Sequence, residues 1–497
     1  MEAETRKELK ELKNELELGE PVVEYQTKQY YSTMGCKIYY IRRPEMDTAL
    51  EKLEFLRTHK LEDLEFERIV PDKNNNWINI VENDWDSLLQ IQKAENKNEQ
   101  MFTFASNGVN TARDEWVFDY DYKKLKEKIK FFIISYSNQV YSKKLKGDEL
   151  TKTIKWSEAL KNSLKRGLIP KENFKLIRNF NYRPFKKVKY YSEKTFSDRL
   201  TSNHRQIFGN SLQEDNFVIT FSGLSSSKPF STLASNILFG FDFIEKTQSI
   251  PLYRYNTEGE RTDNITDWGL QQFRNYYKIV SQVIKPKKEP IDYSGSIITK
   301  EDIFHYVYAV LHHPAYRKKY ELNLKREFPR IPFYDNFFQW ADGGKTLMDL
   351  HINYETVKPF DLKLQQREQK TTAKKLRIKA EESEELYGRQ PRVKAKLKAD
   401  KENGIIELDE LSFLTGIPKA AWDYKLGNRS ALEWILDQYK EKKPTDPTIA
   451  EKFNTYLFAD YKEHVIELLK RVCTVSVQTV KIVNSMPGYK KQNNLFH

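Results

Sequence analysis

Hydrophobic residues change their spacing along this chain, and the change separates helical parts from strand-rich parts. Residues 122–166 place Leu125, Ile129 and Phe132 on one side of a helical pattern, with lysines on the other side. From about residue 176 to 255 the apolar residues come instead in short runs, such as NFVITFSG and SIPLYRYN, which are typical of strands. Polar stretches such as SDRLTSNHRQIFGN and GLSSSKPFST separate these runs. The pattern predicts a strand scaffold that carries exposed loops.

Helical patterns flank this scaffold on both sides. The stretch ITKEDIFHYVYAVLHHP has Thr299 and Asp302 at capping-box spacing, and it predicts a helix that ends at the pair His312-His313. Residues 405–497 are predicted to be predominantly helical. We therefore expect a mixed α/β (α+β) fold, with a β-rich scaffold and inserted loops between helical blocks.

A chain of 497 residues is longer than a domain with a single hydrophobic core usually is, which predicts two or three domains. The segment 101–121 is expected to form two strands joined by a turn, and residues 1–20 a short charged helix. The segment 358–404 is highly charged and poor in apolar residues, which predicts a linker or an edge excursion. The expected divisions are an N-terminal segment 1–100, a domain 101–360, a charged linker or excursion 361–404 and a helical C-terminal block 405–497.

Composition narrows the class of protein. Hydrophobic residues make up 39% of the chain, enough to build packed cores. No apolar run is long enough to span a membrane, and the charged N-terminus lacks the apolar core of a signal peptide. Cys36 and Cys473 lie far apart and suggest no disulfide framework, which predicts a cytoplasmic protein.

The positive charge of the chain is concentrated in one segment. The net charge is +12, which favours a polyanionic partner but could also reflect an AT-rich coding sequence. Residues 161–210 contain 13 Lys and Arg against three acidic residues. Because compositional drift would spread the charge evenly, this clustering favours a nucleic-acid partner.

Templates for catalysis and metal binding do not match the chain. QWADGGKT, residues 339–346, has Gln339 where a phosphate-binding loop needs its first glycine, so we interpret it as a turn. No Pro-Pro pair is available for the motif with which an amino-methyltransferase holds a flipped base. Adjacent histidines at 312 and 313 leave a helix about 100° apart and are poorly placed to share a metal. We therefore predict no catalytic residue, no metal site and no cofactor in this chain.

The candidate contacts to nucleic acid are basic and amide residues of the strands and loops. Lysines neutralise phosphates, small hydroxyls suit phosphate oxygens, and Arg, Asn and Gln can read base edges. The candidates are Arg183, Lys186, Lys187, Lys189, Arg199, Asn203, Arg205, Gln206, Ser225, Ser226, Ser227 and Lys228. The alternative for each residue is an ordinary solvated, lysine-rich surface. The tyrosines and phenylalanines among them are expected to pack the scaffold, because a duplex offers no free base faces.

A series of landmark stretches resembles a known family. In order they are KLEFLR, FERIVPDKNNNWIN, SNGVNTARDEWVF, NYRPFKKVKYY, IPLYRYN, ITKEDIFHYVYAVLHHPAYRKKYELNLKREFPRIPF, LHINYE and IPKAAWDYKLGNRSALEWILDQYKEKKPTDPTIAEKFNTYLFADY. Together they resemble the C-terminal target-recognition (specificity) region of type ISP restriction-modification enzymes, over nearly the whole chain from about residue 35.

The resemblance implies a function in DNA recognition. Family members join a nuclease, a helicase-like ATPase, a coupler and an adenine N6-methyltransferase to a region that reads an asymmetric double-stranded DNA site. They use S-adenosylmethionine, ATP and Mg. The present chain lacks the motifs of the catalytic parts, so we expect it to recognise DNA without being catalytic alone, and residues 1–100 to be the tail of a methyltransferase-like region.

Three alternatives stay open at the level of the sequence. The chain is either a separate specificity subunit or part of a split gene. It could also belong to an adenine methyltransferase or restriction enzyme that is active only with a methyltransferase/helicase–nuclease partner chain. A module that binds another protein through its basic face is the third alternative.

Overall fold

The computed structural model describes residues 37–41, 43, 49–71, 83–92, 96, 98–142, 150–283, 297–367, 393–454 and 456–487. The chain divides into two compact units, Met1–Glu82 and Asn83–His497, which are described separately. The helix expected in residues 1–20 lies outside the described residues.

The first unit contains a two-stranded ladder and one helix. Strands β1 (Ile38–Tyr40) and β2 (Glu67–Ile69) pair antiparallel. Helix α1 (Ala49–Thr58) and a 3₁₀ turn (Leu61–Asp63) lie between them in the chain.

The second unit combines helices with several small sheets, and the expected mixed α/β fold is confirmed. Its helices are α2 (Asp114–Val117), α3 (Tyr122–Tyr141), α4 (Glu158–Lys165), α5 (Ser202–Phe208), α6 (Asp267–Val283), α7 (Lys300–His312), α8 (Pro314–Lys319), α9 (Glu321–Arg326), α10 (Phe337–Ile352), α11 (Ala420–Asp423), α12 (Ala431–Gln438) and α13 (Phe458–Ser485). Its strands are β3 (Leu89–Gln90), β4 (Ser106–Asn107), β5 (Phe118–Asp119), β6 (Ile177–Arg183), β7 (Lys186–Tyr191), β8 (Val218–Phe221), β9 (Thr232–Ser235), β10 (Gln248–Pro251), β11 (Tyr253–Tyr255), β12 (Arg261–Asp263), β13 (Arg330–Ile331), β14 (Lys363–Gln366), β15 (Ala395–Asp400), β16 (Ile405–Asp409), β17 (Ser412–Thr415), β18 (Lys425–Leu426) and β19 (Arg429–Ser430).

Three sheets organise the second unit. Strands β4-β10-β8-β9 form a four-stranded antiparallel sheet, and β5-β7-β6 form a three-stranded sheet. A second four-stranded sheet, β14-β17-β16-β15, belongs to the C-terminal part of the chain. The strand scaffold expected between residues 176 and 255 is therefore present: β6 and β7 lie in the three-stranded sheet, β8 to β10 lie in the four-stranded sheet, and β11 pairs with β12 in a two-stranded sheet.

The sequence analysis assigned the wrong local structure to residues 405–415 and 114–117. Residues 405–415 were expected to belong to a helical block, but they form β16 and β17, because Ile406, Leu408 and Leu414 alternate with half-buried positions. Residues 114–117, expected to lie in a strand, form the short helix α2, whose first turn is acidic. Acidic side chains stabilise helix N-termini, so this local signal favours the helical turn.

Helix α7 is confirmed, including its capping box. The Asp302 amide donates to Thr299 Oγ1 at 3.1 Å, and the Thr299 amide donates to Asp302 Oδ2 at 2.9 Å. The helix ends at His312, and His312 Nδ1 lies 2.9 Å from the Tyr308 carbonyl oxygen, which confirms the interpretation of a helix-end pair.

The Gly-Gly stretch of QWADGGKT was expected to be a turn, and this prediction is wrong. It lies inside α10, which packs against α7. A Cβ added at Gly344 would come within 1.9 Å of the His305 carbonyl oxygen, so the glycine permits the close approach of the two helices. Amide groups in a helix interior are occupied by the backbone and cannot cradle a phosphate chain.

Two hydrophobic cores hold the second unit together. The first includes Trp116, Tyr190, Leu408 and Val472, and so joins strands of the middle of the chain to the C-terminal elements. The second is built around α7 and α10, with Val483 of α13 packed into it. The functional division at residues 101–360, 361–404 and 405–497 stays a prediction.

Candidate nucleic-acid interface

The β6–β7 hairpin buries most of its aromatic side chains and leaves two of its three lysines half-buried. Along β7, Lys186, Val188 and Tyr190 are buried, whereas Lys187 and Lys189 are half-buried. Phe185 turns the chain between the strands at a φ of 55° and packs its ring 5.2 Å from Tyr354. The expectation that the aromatic residues pack the scaffold is confirmed for this hairpin.

Lys186 points into the protein, unlike its neighbours in the basic run. Its Nζ donates to the Gln438 carbonyl at 3.0 Å and lies 4.5 Å from the ring centre of Tyr120. Burial, with a smaller contribution from the positive charge of Arg183, lowers the pKa of Lys186 to about 7. The aromatic rings and the carbonyl offset only part of the cost of burying this cation. Its ammonium group is therefore not available to a phosphate in this structure.

The three other candidate cations of the hairpin already have partners at the surface. Lys187 Nζ is 2.7 Å from Glu355 Oε2, and Lys189 Nζ donates to Asn179 Oδ1 at 2.7 Å. Arg183 donates to the Tyr182 carbonyl at 2.8 Å, with Asp242 Oδ2 at 3.8 Å. The partner of Lys189 is an uncharged amide, so this hydrogen bond, unlike the ion pair of Lys187, does not offset the charge of the lysine.

The loop 197–201 and helix α5 carry the candidate base readers. Arg199 and Asn203 are exposed, and Gln206 is half-buried. Arg205 Nη1 donates to the Asn210 carbonyl at 2.6 Å, which leaves the rest of its guanidinium group for other contacts. Among the described residues, no hydrogen bond or ion pair involves the side chain of Arg199. It is the cation of this set that is most accessible to a ligand.

The loop 197–201, which we call the Arg199 loop, is held by hydrogen bonds and an ion pair to residues that were not predicted from the sequence. Asp198 Oδ1 lies 2.9 Å from Nη2 of the buried Arg113 and accepts a hydrogen bond of 2.7 Å from Ser157 Oγ. The Arg199 amide donates to the Asn110 carbonyl at 2.9 Å. The signal available in the sequence was the landmark SNGVNTARDEWVF, whose Arg113 had no assigned role.

The serine turn, residues 225–228, is occupied by a carboxylate. Ser226 Oγ donates to Glu245 Oε2 at 2.5 Å and Ser227 Oγ donates to Glu245 Oε1 at 2.9 Å. Exposed Ser225 has a φ of 57°, and Lys228 Nζ lies 6.0 Å from the ring centre of Trp434. These hydrogen bonds lower the pKa of Glu245 against the opposing effect of its burial, so the carboxylate is ionised and competes with any phosphate.

The candidate residues fall into three groups: the hairpin, the Arg199 loop with α5, and the serine turn. The structure places the first two groups next to each other. Tyr190 Oη lies 2.6 Å from Ser197 Oγ, which joins the hairpin to the Arg199 loop, and Arg178 Nε of β6 donates to the Ser211 carbonyl just beyond α5. The serine turn contacts other elements: the Ser225 amide donates to the Lys325 carbonyl at 2.9 Å. The hairpin and the Arg199 loop are therefore neighbours, joined through the buried Tyr190–Ser197 contact, and the Arg178–Ser211 hydrogen bond joins the hairpin to the segment after α5. The serine turn lies apart from this hydrogen-bond network in the described part of the chain.

Other classes of site find little support in the geometry. Within the described ranges, no group of three or more His, Cys, Asp or Glu side chains is arranged to hold a metal ion. The helices in those ranges also include none that is long and apolar enough to cross a membrane.

Comparison with known structures finds several similar chains. The DrdV–DNA complex, solved by cryo-electron microscopy, superposes with a TM-score of 0.76 at 41% identity, covering 91% of this chain and 43% of that chain. A nuclease-deletion mutant of the Type ISP restriction-modification enzyme LlaGI, in complex with a DNA substrate mimic, gives 0.70 at 25% identity, covering 92% and 39%. The ATP-dependent Type ISP enzyme LlaBIII bound to DNA shares the fold, with a TM-score of 0.70 at 23% identity and coverage of 92% and 28%.

The chain thus spans less than half the length of each of these proteins. No curated protein matches it. A family model described as the Type ISP C-terminal specificity domain matches residues 100–468, which is most of the chain. The chain belongs to the family of Type ISP C-terminal specificity domains.

Proposed function

We propose that this chain recognises a specific sequence in double-stranded DNA, as the specificity part of a Type ISP restriction-modification system. The observation that carries the proposal is the likeness, at 41% identity over 91% of this chain, to a protein solved as a complex with DNA. The cluster of 13 basic residues in 161–210 supports it independently, because cationic surfaces bind phosphates by releasing counterions.

Phosphate contacts are proposed for the exposed side of the hairpin. Lys189 is the leading candidate because its partner is neutral. Lys187 and Arg183 contribute less, since Glu355 and Asp242 already offset part of their charge. We do not include Lys186 among the proposed contacts, because its ammonium is enclosed in the protein.

Base reading is proposed for the Arg199 loop and helix α5. The major groove of B-form DNA admits an α-helix, and Arg pairs with guanine while Asn and Gln pair with adenine. Arg199, Asn203, Arg205 and Gln206 supply both types of side chain within one loop and one helix. The serine turn, with Ser225, Ser226, Ser227 and Lys228, is a secondary candidate because a phosphate would first have to displace the Glu245 carboxylate.

Chemical steps are proposed to lie outside this chain. We infer that a methyltransferase/helicase–nuclease chain acts on the site that this chain binds, using S-adenosylmethionine, ATP and Mg, and that recognition itself needs no cofactor. Residues 101–360 would contact DNA, residues 1–100 would belong to the tail of the methyltransferase-like region, and residues 361–497 would support the recognition part. We place the protein in the cytoplasm, where its DNA substrate lies.

Selection from a random library of duplexes tests the proposal. The purified chain should retain duplexes that share one sequence, and retention should fall as salt is raised. Retained duplexes without a common sequence would contradict specific recognition and favour a non-specific basic surface. Adding S-adenosylmethionine and DNA to the isolated chain should give no methyl transfer. Incorporation of methyl groups would contradict the assignment of the chemistry to a separate chain.

A further inference from the structure

Arg199 is an exposed cation, and its loop is fixed by an ion pair between Asp198 and the buried Arg113. We propose that Arg113 and Asp198 are positioning residues, which hold the Arg199 loop so that the Arg199 side chain meets DNA in one orientation. This inference rests on the proposed DNA-recognition function. It names a role for two residues that touch no ligand themselves.

The ion pair that holds the loop has one fully buried partner, Arg113, and one half-buried partner, Asp198. The Arg113 side chain is fully buried, and its Nη2 lies 2.9 Å from Asp198 Oδ1. Ser157 Oγ donates to the same carboxylate oxygen at 2.7 Å and also caps helix α4 by accepting from the Leu160 amide at 3.2 Å. Asp198 therefore joins three segments of the chain at one point.

The remaining residues of the loop are fixed as well. Ser197 Oγ lies 2.6 Å from the hydroxyl of Tyr190, and Leu200 is buried in the first core. The Thr201 amide lies 3.1 Å from Nδ1 of His204, which completes the capping box of α5. The residues on both sides of Arg199 are thus held in place, while the Arg199 side chain itself is exposed to solvent.

Net stability of the fold does not by itself explain the ion pair between Arg113 and Asp198. An ion pair with one buried partner usually contributes little net stability, because desolvation of the buried charge, here that of Arg113, offsets much of the attraction. A fixed loop, however, lowers the entropy lost when a side chain on it binds a ligand. The pair is therefore better explained as a device that orders Arg199 before DNA arrives.

A double-mutant cycle separates positioning from a general loss of structure. The full chain is measured against a duplex selected by the wild-type protein, with Asp198→Asn, Arg199→Ala and the double variant. Asp198→Asn should weaken binding about five-fold or more in the wild-type background and less than about two-fold when Arg199 is already absent. Weakening by the same factor in both backgrounds would overturn the inference, because it would mean that Asp198 acts on the whole fold.

Asp409→Asn is a matched control. Asp409 also forms an ion pair, with Lys462 at 2.7 Å, and it is more buried than Asp198, but it lies in β16, outside the hairpin, the Arg199 loop and α5. It should lower thermal stability and leave affinity for the duplex unchanged. If Asp198→Asn does not fold, Arg113→Lys, which keeps the charge but loses the Nε donor to the Lys155 carbonyl, replaces it in the same cycle with the same expected coupling.

Failure of the inference and failure of the proposed function give different results. If Arg199→Ala leaves affinity unchanged while the wild-type chain binds its duplex specifically, the positioning role is overturned and DNA recognition stands. If the wild-type chain selects no duplex at all, the proposed function is overturned, and the positioning role falls with it.

Discussion

Lys186 and Arg199 belong to the same basic segment but differ in burial, and burial decides what each can do. Lys186 donates to a backbone carbonyl and lies against tyrosine rings, so its ammonium group is enclosed in the protein. Arg199 is exposed on a fixed loop. A count of basic residues treats the two alike, whereas their environments assign one to the scaffold and the other to the surface.

The pH dependence of stability tests the burial of Lys186. Burial lowers its pKa from an ordinary value of 10.5 to about 7, so between these values the unfolded chain binds more protons than the folded protein. Lys186 should therefore make stability rise with pH, by about 1 kcal/mol per pH unit between pH 7.5 and 9. Lys186→Met should reduce that slope in urea unfolding experiments by this amount and leave DNA affinity unchanged. An unaltered slope would contradict the buried position.

Lys189 and Lys187 should differ in their effect on DNA binding. Lys189→Ala removes a cation without an acidic partner and should reduce the slope of log K against log salt by about 0.9. Lys187→Ala should reduce it less, because Glu355 already lies 2.7 Å from the ammonium.

Glu355→Gln is the informative control for this pair of lysines. It frees the charge of Lys187 and should raise affinity for all duplex sequences alike. Equal slopes for the two lysine variants, together with no effect of Glu355→Gln, would show that the hairpin does not face phosphates.

At the level of elements, the packing of α7 against α10 depends on one of two adjacent glycines. A Cβ at Gly344 would meet the backbone of α7, whereas a Cβ at Gly343 would meet only the flexible end of Met486 at 3.0 Å. Gly344→Ala should therefore lower the free energy of unfolding by about 1–3 kcal/mol or more, as overpacked cores do.

Gly343→Ala provides the comparison within the same helix. It should be close to neutral or stabilising, because alanine is favoured over glycine in a helix by about 1 kcal/mol. The two variants are compared by chemical denaturation. Similar losses at both positions would contradict the close approach of α7 and α10 at Gly344.

Elements with strong local signals were predictable from the sequence, and elements set by packing were not. The capping box at Thr299 and the apolar face of α3 gave correct helices, because these signals are local. The pair Gly343-Gly344 suggested a turn, yet the contact with α7 made glycine necessary inside a helix. Contacts distant in sequence also decided which basic residues are free: Glu355 lies 168 positions from Lys187.

At the scale of the whole molecule, the C-terminal elements complete the core of the recognition scaffold. Trp116 Nε1 donates to Asp446 Oδ2 at 2.7 Å, and the Glu115 carboxylate accepts from the Thr445 and Asp446 amides. Hydrophobic residues of β16 and α13 belong to the same core as those of β6 and β7. The sequence indicated a helical block after residue 405, but nothing in it revealed that this block closes the core.

Truncation tests this dependence. A chain that ends at residue 360 should expose the apolar side chains that now pack against β16, α12 and α13, and it should be insoluble or lack a cooperative thermal transition. The full chain should be soluble under the same conditions. A truncated chain that melts cooperatively and binds the selected duplex would contradict the shared core.

The central claim is that this chain reads a DNA sequence, and competition binding tests it most directly. The full chain is bound to a labelled duplex from the random-library selection and challenged with the same duplex or with a scrambled one, at moderate salt. Specific recognition predicts that the selected duplex competes better by about 10³-fold or more. Equal competition by the two duplexes would contradict sequence recognition and leave only a basic surface that binds any duplex.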